Sequence, residues 1–197
     1  MGWYRNTNWS DEIAADFERR LARSRHQKAQ NLSLQGFYLI AGHPDVAVGL
    51  LERSIAFGDE FETPRALLYL ATAKVALGDI DGALGAYETA LDRPPGSRSS
   101  VIQPVDYLFL VGAFRRTERL PRAMALMDDV AEDGAFGADP EVFVAKALVL
   151  DLAGRKKEAS HYASLALPAL KNVPHPATMS IDMSEVRARL MRLANRF

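Results

Sequence analysis

Side chains that could carry out chemistry are few in this chain, and they are widely spaced. The four histidines, His26, His43, His161 and His175, are scattered and lack metal-ligand spacing with carboxylates. The chain contains no cysteine, which excludes disulfides, thiolate metal sites and thiol catalysis. We therefore predict neither a metal site nor a cofactor.

Catalytic sequence motifs are also missing. The chain has no glycine-rich phosphate-binding loop, no dinucleotide-binding glycine pattern, no nucleophile elbow and no paired-histidine zinc motif. His43 precedes Pro44, and this pair is typical of a turn that begins a helix. Because no acid, base and nucleophile converge in the sequence, we expect that the protein is not an enzyme.

The charge balance disfavours nucleic acid and membrane as partners. The chain carries 24 basic and 25 acidic residues, for a net charge of −1. Two stretches, at 18–28 and 186–196, are locally basic, but a solvated helix face explains them better than phosphate binding. The longest apolar run, 107–114, is too short to span a bilayer. The first residues lack the apolar core of a signal peptide, so we expect a cytoplasmic protein.

The elements that would position any functional side chain come from a repeated pattern, clearest between Pro64 and Pro95. Thr63 as N-cap and Pro64 as the first helical residue predict a helix start, and Gly78-Asp79 predicts a break after which Asp79 can cap a second helix. Apolar and small residues recur at three- and four-residue spacing on both helices. They are Leu67, Leu70 and Ala71, then Ala83, Tyr87 and Ala90.

The same frame fits three further stretches of the chain. The first copy has Leu34, Tyr38, Ala47, Leu51 and Ser54; the third has Tyr107, Leu110, Phe114, Ala123, Met127 and Val130; the fourth has Phe143, Ala147, Leu150, Ala159, Ala163 and Ala166. The copies begin 36 or 40 residues apart, and a repeat of about this length is typical of stacked helix pairs rather than of a compact enzyme fold.

The stretch LLYLATAKVALGDIDGALGAYETALDRPP resembles a tetratricopeptide (TPR) repeat, and WYRNTNW resembles the start of small bacterial TPR proteins to which no activity is assigned. The resemblance implies an all-α, right-handed α-α superhelix of about four helix pairs in one continuous array. The predicted repeats cover 28–61, 64–97, 104–137 and 140–173, with capping segments at 1–27 and 174–197.

Amphipathic helices are predicted at both ends. Ser10 can cap a helix with Ile13, Phe17 and Leu21 on one side. Near the C-terminus, a second apolar stripe is formed by Val186, Leu190, Leu193 and Phe197. Trp3, Tyr4 and Trp9 could form a partner-binding patch, but packing against the nearest apolar helix face is the better interpretation.

The resemblance also implies a partner-binding groove lined by the first helix of each pair. The matching positions are Arg65, Tyr69, Thr72, Val105, Phe109, Gly112, Arg115, Arg116, Glu141 and Asp151. The carboxylate clamp of chaperone-binding TPR proteins is absent, because Leu32 and Gly36 occupy the corresponding places. An alternative interpretation places Tyr69 and Phe109 in the core, one helical position away from the groove.

An aromatic and apolar floor with arginines suits an extended or helical protein segment that carries acidic and apolar side chains. We therefore expect a non-enzymatic protein-interaction scaffold that binds a protein or peptide. The alternative is a regulator or immunity-type inhibitor that occludes a toxin or an enzyme. Apolar surface at either end of the array would also allow a homodimer.

Overall fold

Over the residues that the structure describes, the protein is all-α, as the sequence predicts, apart from one two-residue β-ladder. The structure is a computed structural model, and it describes residues 2–93, 104–128, 130, 133–134, 137–138, 140–168 and 181–195, with backbone alone at the two strands. The chain divides into two compact units, Met1–Ile102 and Gln103–Phe197. Their boundary follows the stretch rich in proline, glycine and serine at 92–100.

Unit 1 consists of helices that are joined by short turns and packed side by side. The second helix packs against the third, the third against the fourth and the fourth against the fifth. The second also contacts the fourth directly, so the first helix of one pair lies against the first helix of the next. The helices are α1 (Asp11–Arg23), α2 (Lys28–Leu39), α3 (Pro44–Ala56), α4 (Glu62–Ala76) and α5 (Ile80–Leu91).

Unit 2 is also built from helices packed side by side, but here the first helix packs more extensively against the third helix than against the second. Its first helix packs against the third, the third against the fourth and the fourth against the fifth. The elements are α6 (Val105–Ala113), a 3-10 turn (Thr117–Arg119), α7 (Leu120–Met127), the strands β1 (Asp133–Gly134) and β2 (Gly137–Ala138), α8 (Pro140–Leu152), α9 (Lys156–Ala166) and α10 (Met183–Ala194). The two strands pair antiparallel.

Small residues in the interior set how closely these helices approach. A Cβ on Gly112 of α6 would lie 2.6 Å from Leu148 Cβ and 2.8 Å from the Leu148 carbonyl carbon of α8. A Cβ on Gly36 of α2 would lie 2.7 Å from Leu51 Cγ of α3. An alanine at Gly112 would therefore clash with the backbone of α8, and an alanine at Gly36 would require the Leu51 side chain to move.

Three helices end in the same way. Gly78, Arg115 and Gly154 have positive φ, and the N–H of the next residue donates to a carbonyl five residues back. Glycine adopts this conformation freely, whereas an arginine pays a steric cost for it. At the end of α6 the left-handed residue is nevertheless Arg115, so no glycine in the sequence marks this helix end.

The N-terminal segment and α10 pack as the sequence predicts. The Trp3 and Trp9 rings contact Phe17 of α1, with centroids 5.4 and 5.7 Å away, which confirms the packing interpretation for both. Asn6 donates to Gln35 Oε1 through its backbone N–H and its Nδ2, and Gln35 Nε2 donates back to the Asn6 carbonyl. Val186, Leu190 and Leu193 are buried beneath α10, while Phe197 lies outside the described residues.

Candidate functional site

Three side chains of unit 1 line one side of α4 at four-residue intervals. Phe61, Arg65 and Tyr69 follow one another along the helix, and Phe61 keeps helical dihedral angles although α4 begins at Glu62. Phe61 is 51% exposed, the Arg65 side chain is 46% exposed and Tyr69 is half-buried. Asp59 fixes this helix start, because its Oδ1 accepts hydrogen bonds from the N–H groups of Phe61 and Glu62.

The neighbouring helix α2 adds two aromatic rings beside Tyr69. The Phe37 ring lies 4.6 Å from the Tyr69 ring, centroid to centroid, and 5.5 Å from the Tyr38 ring. Phe37 is 44% exposed, which is unusual for a phenylalanine in a well-packed helix. We call Phe37, Tyr38, Phe61, Arg65 and Tyr69 the aromatic face.

The packing of α2 explains why its phenylalanine faces outward. Leu32 and Leu39 are fully buried, Gly36 contacts Leu51 of α3, and Gln35 is held by the N-terminal segment through Asn6. The side of α2 next to α4 is therefore left for Phe37, which gains the stacking contact with Tyr69.

The electrostatics of the aromatic face are set by Arg65 and by the neighbouring carboxylates of Glu62 and Asp59. Arg65 lies 3.6 Å from Glu62, whose side chain is only 8% exposed and whose Oε2 has no hydrogen-bond partner among the described residues. Burial raises the pKa of Glu62, Asp59 raises it further and Arg65 opposes the shift. Burial likewise raises the pKa of Tyr69, which keeps its hydroxyl neutral. The aromatic face thus presents one positive charge to solvent.

Unit 2 contains a different charged cluster around Asp151, at the end of α8. Arg189 of α10 donates to Asp151 Oδ2 from Nε at 2.8 Å, and Lys156 Nζ lies 2.5 Å from Oδ1. Arg115 approaches the same carboxylate at 3.6 Å. Arg189 also donates to the Gly112 carbonyl of α6, so one side chain joins α6, α8 and α10.

The same cluster sets the protonation of Asp151. Burial alone would raise the pKa of this carboxyl. Hydrogen bonds from Lys156 and Arg189, with the charges of both, outweigh that effect and hold the pKa below its ordinary value. Asp151 is therefore a satisfied interior anion that fastens the C-terminal helix.

The predicted groove residues fall into distinct environments. In unit 1, Arg65 and Tyr69 share the aromatic face, and Thr72 lies one turn further along α4 with its hydroxyl donating to the Leu68 carbonyl. In unit 2, Arg115 and Asp151 meet in the ion-pair cluster. The other predicted positions are Phe109 and Gly112, which are buried, and Val105, Arg116 and Glu141, which are half-buried.

Sequence reasoning missed three residues of the aromatic face, Phe37, Tyr38 and Phe61, and it also missed the buried Glu62 beside Arg65. Taking Thr63 as the cap placed the start of α4 too late, since Asp59 is the residue that caps it and Thr63 is buried inside the first turn. A helix that includes Phe61 would have shown the spacing of Phe61, Arg65 and Tyr69. No sequence signal indicated that Phe37 is exposed, because its exposure depends on the hydrogen bonds between Gln35 and the distant Asn6.

Comparisons with known proteins add no relative to this description. No family model matches the chain, and no curated protein and no solved structure matches it either. Within the described ranges, no group of three or more histidine or acidic side chains could hold a metal ion. No helix among the described residues is long and apolar enough to cross a bilayer.

Proposed function

We propose that this protein is a non-enzymatic, TPR-like interaction scaffold, and that the aromatic face of unit 1 binds a segment of a partner protein. The observation that carries the proposal is the Phe37–Tyr69 ring pair, which lies at the surface on two adjacent first helices. Exposed aromatic side chains beside an arginine are the residues that contribute most to protein interfaces.

The rigidity of the surrounding helices supports this function. α2 is held on one side by α3 through the Gly36 contact and on another by the N-terminal segment through Gln35. A surface that is already ordered loses little conformational entropy when a ligand binds. The five side chains of the face can stack on a ligand and pair with its charge, but they hold no activated nucleophile.

A peptide-display selection tests this proposal directly. The purified chain is used to select from a random peptide library, and the dissociation constants of enriched peptides are measured by fluorescence anisotropy. We expect Phe37→Ala and Tyr69→Ala each to weaken binding about tenfold or more, as truncation of an interface aromatic does. Circular dichroism melts check that both variants fold.

Leu165→Ala is the matched control. Leu165 of α9 is 42% exposed, close to the 44% of Phe37, but belongs to unit 2. Its truncation should leave the affinity unchanged. If no peptide is enriched, or if the enriched peptides bind Phe37→Ala as tightly as the wild type, the proposed function is wrong.

A further inference from the structure

The spacing along α4 matches the spacing of an extended peptide. Phe61, Arg65 and Tyr69 are separated by steps of four residues, which amount to about 6 Å each at the helical rise. In an extended chain, alternate side chains lie on the same side and about 6.6 Å apart. Three alternate side chains of a strand that runs along α4 therefore reach these three residues together.

The charges of the face select an acidic side chain for the central position. Arg65 is its one charged residue, and the carboxylate behind it, Glu62, is 8% exposed against 46% for the arginine. The single 3.6 Å approach to Glu62 leaves guanidinium donors of Arg65 facing solvent. A carboxylate satisfies such donors with two parallel hydrogen bonds, which a neutral or basic side chain cannot do.

The neighbours of Arg65 select apolar side chains on either side. Phe61 stands one step towards the start of α4, and the Phe37–Tyr69 pair stands one step beyond Arg65. Both sites present aromatic surface that an aliphatic or aromatic side chain would remove from water.

We propose that the aromatic face recognises an extended protein segment of the pattern apolar–x–acidic–x–apolar, with its acidic residue paired to Arg65. The inference rests on the proposed function and specifies its ligand. The first apolar residue lies on Phe61 and the last on the Phe37–Tyr69 pair, or the reverse if the strand runs the other way.

Several stretches of the chain itself have this pattern, but 9–13 runs into α1 and 126–130 begins inside α7, whereas 57–61 lies wholly between two helices. Phe57, Asp59 and Phe61 alternate, and both phenylalanines are more than half exposed. Asp59 already accepts the two N–H groups that begin α4, so a second copy could use this stretch only by giving up that cap. The occupant is therefore a segment of another protein.

The test uses labelled peptides with the core Leu-Ser-Glu-Ser-Leu. Two controls are the isomer Leu-Glu-Ser-Ser-Leu and the charge-reversed Leu-Ser-Lys-Ser-Leu. We expect wild-type protein to bind the first about five- to tenfold more tightly than either control, as measured by fluorescence anisotropy at low salt. Equal affinity for the core peptide and its isomer would overturn the proposed register.

Two variants of Arg65 test the role of its charge. Arg65→Gln should remove the preference for glutamate over lysine, and Arg65→Glu should reverse it. The neutral variant keeps the test decisive even if the second glutamate, placed beside Glu62, weakens the fold. A glutamate preference that survives in Arg65→Gln would refute the assignment.

The outcomes separate this inference from the proposed function. Display-selected peptides that need Phe37 but carry basic residues, or acidic and apolar residues at helical spacing, would leave the scaffold function intact and overturn the inference. Concentration-dependent self-association that Arg65→Gln abolishes, measured by analytical ultracentrifugation, would assign the face to a second copy and also overturn it. If the protein binds no peptide, both the proposed function and the further inference are wrong.

Discussion

Glu62 and Asp151 are both buried, with 6% and 8% of the whole residue exposed, but the surroundings of their carboxylates differ. Asp151 receives hydrogen bonds from Lys156 and Arg189. Among the described residues, the one cation near the Glu62 carboxylate is Arg65, at 3.6 Å. A buried charge without full pairing is costly. The carboxylate of Asp151 therefore stabilises the fold, and the carboxylate of Glu62 destabilises it. Their pH dependences must have opposite signs.

Glu62→Gln should stabilise the protein at neutral pH by about 1 kcal/mol, because it removes a poorly paired buried charge and keeps the shape. Burial raises the pKa of Glu62 in the folded state above the ordinary glutamate value of 4.5. The favourable contribution of Glu62 to the free energy of unfolding is therefore fully present below the ordinary pKa of 4.5, and it is lost as the pH rises through the folded pKa. Urea unfolding at pH 4 and pH 7 should show a difference between variant and wild type at pH 7 alone. An equal difference at both values would contradict this account.

Asp151→Asn should destabilise the protein by about 3 kcal/mol, because Arg189 loses its counter-charge in a site where its side chain is 13% exposed. The pKa of Asp151 lies below the ordinary aspartate value of 3.8, so its stabilisation is complete above that value and disappears as pH falls through the folded pKa. The deficit of the variant should shrink in strong acid. Glu158→Gln, which breaks an exposed pair with Arg155 in the same unit, is the control and should cost about 0.5 kcal/mol or less.

At the scale of elements, close helix contacts and helix ends determine where side chains point. α6 can lie against α8 because Gly112 lacks a Cβ. Gly112→Ala should therefore destabilise the protein by about 2 kcal/mol, since the added methyl meets backbone atoms of α8 that cannot rotate away. Gly49→Ala is the matched control. Gly49 sits in the middle of α3, where an added Cβ would have no atom within 4 Å apart from its chain neighbours and the backbone of its own helix, and alanine there should stabilise by about 0.5–1 kcal/mol. The same sign for both variants in thermal melts would contradict the close-contact explanation.

Arg115→Gly should stabilise the protein by about 0.5–1 kcal/mol. Arg115 has a φ of 54° at a position where the two equivalent turns use glycine, and a left-handed conformation is unfavourable for an arginine. The variant also loses an ion pair with Asp151, but Arg115 is 61% exposed and such a pair contributes little. Gly154→Ala tests the same geometry in reverse and should destabilise. A less stable Arg115→Gly would show that the pair with Asp151 outweighs the backbone cost.

Periodicity predicted the helices well where local signals and packing agree. Leu67, Tyr87 and Ala90 are buried as the second copy of the pattern requires. Asp79 caps α5 by accepting from the Gly82 N–H, and Ser10 caps α1 by accepting from the Ile13 N–H, both as predicted. These features depend on residues a few positions apart, which a sequence displays directly.

Prediction failed where distant residues decide the outcome. Leu34 and Tyr38 match the inward positions of the repeat, yet both are partly exposed, whereas the polar Gln35 is buried. The reason is that Asn6, 29 positions away, satisfies the hydrogen bonds of Gln35. Arg65 and Tyr69 were predicted as site residues from the resemblance alone. Phe37 could be identified only from the packing of α2, and Phe61 only from the cap of α4.

At the scale of the whole molecule, the two buried carboxylates lie in different units. Acid should weaken unit 2 through Asp151 before it weakens the surroundings of Glu62 in unit 1. We expect the helical signal of circular dichroism to fall at a higher pH than the pH at which unit 1 loses its packing. Asp151→Asn should leave the transition of unit 2 at the same pH or move it to a higher pH, because the variant is less stable than the wild type above the folded pKa of Asp151. A single coincident acid transition in the wild type would contradict the prediction.

The contact of Trp3 and Trp9 with Phe17 makes that experiment possible without any label. They are the only two tryptophans of the sequence, and both lie in the segment that clamps α2 through Gln35. Tryptophan emission, excited at wavelengths that the tyrosines of unit 2 do not absorb, is thus an optical signal from unit 1 alone, whereas far-ultraviolet dichroism averages over every helix. The chain carries its own spectroscopic reporter on the unit that bears the aromatic face, and a shift of its emission would follow the undocking of the N-terminal segment.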